Sequence, residues 1–109
     1  MNKQPEKYFE HMLLAIEEIE SYVDGYSHQQ FIRDSKTISA VIRQLEIVGE
    51  AAGRIPKNIV SDSPVPWEKI IGMRHKLIHD YFGVDVEVVW KTITEGLEPL
   101  KKYLRQKLS

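Results

Sequence analysis

Apolar positions recur every three or four residues along most of the chain. That is the period of helices burying one face, not the two-residue alternation of strands. From Pro5 to Val23 the stripe is Tyr8, Met12, Ala15, Ile16, Ile19 and Val23, with Pro5 suited to a first turn and Asp24-Gly25 as the stop. Ser27 is placed to cap a short second helix through Arg33, and Asp34 or Ser35 to cap a longer third. The third carries Ile38, Val41, Ile42, Leu45, Val48 and Ala52, and Arg54-Ile55-Pro56 closes it, since the residue before a proline is biased out of helical geometry. Ser61-Asp62-Ser63-Pro64-Val65-Pro66 reads as a loop. Pro66 and Trp67 open a fourth helix with Ile70, Met73, Leu77 and Ile78 apolar, and Gly83 is a candidate left-handed stop. Asp85 is a candidate N-cap for a fifth, from Val86 to about Lys107, with the stripe Val86, Val89, Trp90, Ile93, Leu97, Leu100 and Leu104. Pro99 lies inside that run and removes the bond to the Glu95 carbonyl, which predicts a kink nearby. The pattern predicts an all-α, up-and-down bundle of about four to five helices, one domain over residues 1–109.

Composition narrows the class. At 109 residues, 42% hydrophobic and 28% charged, the chain can bury a core and is not globally disordered. It has no cysteine, so thiolate zinc sites, disulfides and a cysteine nucleophile are excluded. No signal-peptide core or membrane-length apolar run is present, and the expectation is a soluble cytoplasmic protein. A net charge of −1 excludes nucleic-acid binding by bulk charge, though not by a local basic site. Acids crowd the first helix (Glu6, Glu10, Glu17, Glu18, Glu20, Asp24) and bases the tail (Lys101, Lys102, Arg105, Lys107). Either these are solvated helix faces, the tail cations complementing the helix dipole, or they form an electrostatic docking surface.

The chemistry concentrates in Arg74-His75-Lys76-Leu77-Ile78-His79-Asp80-Tyr81. Arginine offers a fixed fork to phosphate oxygens, and histidine titrates near neutrality. Together with a phenol they can move protons and stabilise a pentacoordinate phosphate. Arg74 and Tyr81, seven apart, share a stripe, but His79 is five on from Arg74, about 140° around an ideal helix. The three converge only if the helix end unwinds around His79 or a second copy completes the site. On spacing alone, a helix-end histidine meeting the C-terminal dipole is the commoner case, as is a surface pair of His75 with His79. A metal site is not indicated: no Glu stands between those histidines as in zinc proteases, and only His11 and His28 remain as further His ligands. The glycines are scattered, with no phosphate-cradling loop.

Arg74, His79 and Tyr81 meet the pattern R-x-x-x-x-H-x-Y, which resembles the signature of HEPN-domain ribonucleases. The flanking text, Q-L-E-I-V-G-E-A-A at 44–52, P-W-E-K-I-I-G-M-R-H-K-L-I-H-D-Y at 66–81 and V-D-V-E-V-V-W at 84–90, resembles the HepT-like toxin branch. The resemblance implies a HEPN-like helical homodimer whose two motifs meet in one cleft. It implies RNA cleavage without a metal or cofactor, the 2′-hydroxyl attacking the adjacent phosphate to leave a 2′,3′-cyclic phosphate. Carried over, Arg74 stabilises the phosphate and His79 transfers protons. Tyr81 positions RNA and is adenylylated by a nucleotidyltransferase antitoxin, bound to the homodimer or in a larger hetero-oligomer. Where the family often has a small polar residue after the motif arginine, this chain has His75, an auxiliary candidate. Glu50 reads as structural or partner-facing. The alternative implied reading is a non-catalytic HEPN dimer that serves as a nucleotidyltransferase's binding partner.

Overall fold

The computed structural model describes residues 5–61, 63–79 and 85–109, with residues 74–79 described as backbone only. Helix α1 spans Pro5–Val23, and Gly25 turns the chain in left-handed geometry at φ 78°. Helix α2 (His28–Ile32) is started by a full capping box. Ser27 Oγ accepts from the Gln30 N–H, and Gln30 Oε1 accepts from the Ser27 N–H at 2.8 Å. Helix α3 spans Ser35–Gly53, and of the two candidate caps it is Asp34 that accepts from the Thr37 N–H. A four-residue helix α4 (Lys57–Val60) precedes the loop; it is too short to leave a periodic signature in sequence. Helix α5 covers Trp67–His79. Gly83, the candidate stop, lies outside the described residues.

The predicted fifth helix is divided. Asp85 caps α6 (Val86–Lys91), a π-helical turn covers Thr92–Gly96, and α7 runs over Leu97–Leu108. In the π turn the Leu97 N–H reaches back five residues to the Thr92 carbonyl. The backbone stays helical from the π turn into α7, and the Glu95 carbonyl that Pro99 cannot meet lies within that turn. Where the sequence predicts a kink near Glu95, the structure has a π turn.

Four long elements form the bundle. α3 packs between α1 and α5, and α1 packs between α3 and α7. α1 and α3 run antiparallel: Gln44 Nε2 donates to Tyr22 Oη at one end, and Lys7 and Arg54 line one groove at the other. α7 is antiparallel to α1, fixed by Lys101–Glu20 at 2.6 Å and Arg105–Glu17 at 3.8 Å. The acidic and basic helices of the sequence therefore satisfy part of each other's charge within the chain. At the end where α1 begins, Tyr103 sets its ring edge-on to both Phe9 (6.0 Å) and Trp67 (5.6 Å), joining α7 to α5.

The predicted stripes line the core, with Met12, Ile16, Ile19, Val41, Leu45, Val48, Leu100 and Leu104 fully or nearly fully buried. Phe9 is buried where the pattern placed Tyr8, which is half-buried. At the other end α2 packs on α6. Phe31 is completely buried, its ring 5.1 Å from that of Trp90, and His28 Nε2 lies 2.6 Å from Glu87 Oε1. Among the described residues no helix is long and apolar enough to cross a membrane.

Candidate functional site

Helix α5 carries three of the four candidate residues, and its position follows from its apolar face. Trp67 is buried, and Ile70, Ile71 and Met73 pack against the core, while Glu68, Lys69 and Gly72 face solvent. Arg74, His75 and His79 lie on this helix as described backbone; Tyr81 lies outside the described residues.

The helix stays α-helical to His79, its last residue. Up to that point Arg74 and His79 therefore keep helical spacing. By register Arg74 falls two turns after Trp67, while His79 falls two turns after Gly72. The two positions are about 140° apart in azimuth and about 7.5 Å apart along the axis. At Gly72 the helix is open to its surroundings: a Cβ built there would meet nothing within 4 Å.

α5 also fixes which end of the bundle holds the candidate residues. Trp67 sits with Phe9 and Tyr103 where α1 begins and α3 ends. Twelve residues on, about 18 Å along the axis, His79 lies about two-thirds of the way along the roughly 27 Å of α3, towards its start. That end also holds α2, the Asp34 cap and the N-terminus of α6.

Asp34 is the most perturbed ionisable group described. Its Oδ2 accepts from Tyr26 Oη and Thr37 Oγ1, both at 2.7 Å, and its Oδ1 from the Thr37 N–H at 3.1 Å. The Tyr26 hydroxyl, then those Thr37 donors, hold its carboxyl down to about 2. This is a structural anchor, which sequence reading identified only as a cap.

Elsewhere a shallow groove of about 280 Å³ between α1 and α3 is lined by Lys7, Tyr8, His11, Ile47 and the Glu50–Arg54 pair. Glu50, read from sequence as structural or partner-facing, thus stands at the surface with Arg54 at 3.5 Å. Among the described residues no three His, Asp or Glu side chains gather to hold a metal ion.

Comparison with known proteins covers nearly the whole chain. A family model described as "Ribonuclease HepT-like" matches residues 12–106. A Thermococcus cleftensis protein named "Probable ribonuclease HepT" is 45% identical over 102 residues, 93% of this chain and 93% of its own. A Caldanaerobacter subterraneus protein named "Putative RNase" is 41% identical over 105 residues, 95% of this chain and 94% of its own. A Methanocaldococcus jannaschii protein with the same name is 38% identical over 104 residues, 94% and 90% of the two chains. No solved structure matches significantly. With a helical bundle of the expected topology and a family match that runs from α1 into α7, the chain belongs to the HepT-like ribonuclease family.

Proposed function

We propose that the protein is a metal-independent endoribonuclease, the toxin of a toxin–antitoxin pair, acting as a homodimer. Family membership supports the ribonuclease class. The observation that carries the reading further is the unbroken α-helix from Trp67 to His79. It separates Arg74 from His79 in azimuth within one chain, so a two-fold pairing of α5 with its copy is the simplest way to present both to one phosphate.

In this reading His79 takes the proton of the ribose 2′-hydroxyl, and the 2′-oxygen forms its bond to the adjacent phosphorus. The P–O5′ bond breaks, the leaving 5′-oxygen acquires a proton, and a 2′,3′-cyclic phosphate remains. Arg74 binds the non-bridging oxygens, whose charge grows in the pentacoordinate transition state. His75 is an auxiliary polar group beside Arg74. Tyr81 positions the RNA and is the residue that a nucleotidyltransferase antitoxin adenylylates, in complex with the homodimer or a larger hetero-oligomer. An attached AMP brings bulk and a negative charge into a phosphate-binding cleft, which opposes RNA binding.

The test is cleavage of a single-stranded RNA in excess EDTA, with the 3′ ends of the products analysed by mass spectrometry. Cyclic phosphate termini formed by the wild type and absent with His79→Ala are expected. Strict dependence of the chemical step on a divalent ion overturns the reading.

A further inference from the structure

Four arginines have described side chains. Arg43, Arg54 and Arg105 each face a carboxylate, from Glu46, Glu50 and Glu17. Arg33 alone has no acidic partner among the described residues. It is exposed at the end of α2 and shares an open depression of about 530 Å³ with Tyr26, Gln30, Asp34, Ser35 and Lys36. Lys36 is exposed and has no ion-pair partner among the described residues either.

The one acid in the depression is already engaged. Asp34 Oδ2 accepts from Tyr26 and Thr37 Oγ1 and its Oδ1 from the Thr37 N–H, and neither oxygen forms an ion pair with Arg33 or Lys36. Gln30 spends its carbonyl oxygen on the Ser27 N–H, so its amide NH₂ remains available as a donor. Ser35 adds an exposed hydroxyl. The depression therefore presents two cations and several neutral donors around one hydrogen-bonded carboxylate, a net positive site that suits a phosphodiester.

Its place in the bundle gives it a use. It lies at the start of α3, the end towards which α5 runs, and opposite the end marked by Phe9, Trp67 and Tyr103. α2 is fixed to α6 through His28–Glu87 and Phe31–Trp90, and α6 begins only seven residues beyond His79.

We propose that Arg33 and Lys36 form a backbone-binding subsite for single-stranded RNA. They grip phosphates that flank the scissile one, without reading sequence. The inference rests on the ribonuclease reading above and extends it from the scissile phosphate to the strand around it. Each phosphate neutralised on a single strand adds about 0.7 to the slope of log affinity against log salt.

The experiment measures binding of a fluorescent, unstructured oligoribonucleotide by anisotropy across a salt series, in the full chain carrying His79→Ala so that the RNA survives. Adding R33Q and K36Q should lower the slope by about 1.4. Adding K7Q and K69Q, the same charge change on exposed lysines at the opposite end, should lower it far less. If RNA binds but the two double variants lose slope equally, or R33Q/K36Q loses none, the subsite is refuted while the ribonuclease reading stands. If the parent binds no RNA at any salt concentration, the ribonuclease reading fails, and the subsite with it.

Discussion

Tyr26 donates its phenolic proton to Asp34 Oδ2 at 2.7 Å, tying the turn after α1 to the cap of α3. This bond leads the interactions that hold the Asp34 carboxyl at about 2, below its ordinary value. A carboxyl whose folded value is depressed stabilises the fold above its unfolded value, and that contribution is lost as pH falls towards the folded value. Denaturant midpoints should therefore fall between about pH 4 and pH 2, and Tyr26→Phe should flatten that dependence. NMR titration of Asp34 in the variant should give a carboxyl value moved up from about 2.

Phe31 has no solvent exposure and stacks on Trp90, so it joins the α2–α6 layer to the bundle. Phe31→Ala should cost about 3–5 kcal/mol in urea unfolding, the range for emptying an aromatic site. A cost below about 1 kcal/mol would mean that α2 contributes little to the cooperative fold.

Arg74→Ala and His79→Ala should each abolish RNA cleavage. Stability should change by about 1 kcal/mol or less. Circular dichroism and sedimentation should match the wild type, with a mass twice that of the 12.7 kDa chain. A monomer with intact activity at micromolar concentration contradicts the composite site, and a variant that still cleaves loses its assigned role.

Tyr81→Phe, co-expressed with a cognate nucleotidyltransferase, should keep its unmodified mass, while the wild type gains mass in AMP units. Residual cleavage by the variant should escape neutralisation. Added mass on Tyr103 instead would move the regulatory site; that ring is packed between Phe9 and Trp67.

Most of the bundle was legible because burial and helical period coincide. The bounds of α1 and the caps at Ser27, Asp34 and Asp85 follow from residue types with local physical meaning. Helix α4 was not legible, since four residues complete barely one turn. Nor was the exchange of Phe9 for Tyr8, because neighbouring aromatics carry the same apolar signal and only the packing of α7 decides between them. Arg74, His75 and His79 are legible as a cluster on one helix, but the proposed pairing across two chains is a property no single-chain period encodes. Arg33 drew no notice in the sequence, because what distinguishes it is the lack of a carboxylate in space.

The π turn at Thr92–Gly96 makes this stretch sensitive to length in a way that it is not sensitive to composition. It holds one residue more than an α-helix would between the same two ends. Removing one residue there would restore ordinary i→i−4 bonding and keep α6 and α7 in register, whereas removing two would rotate α6 by about 100° relative to α7. Trp90 would then swing away from Phe31 and Glu87 from His28, while the seam of α7 with Glu17 and Glu20 stayed intact. Substitutions of similar helix propensity and a single deletion should therefore be absorbed between Thr92 and Gly96, whereas a two-residue deletion should uncouple α2 from the rest of the bundle.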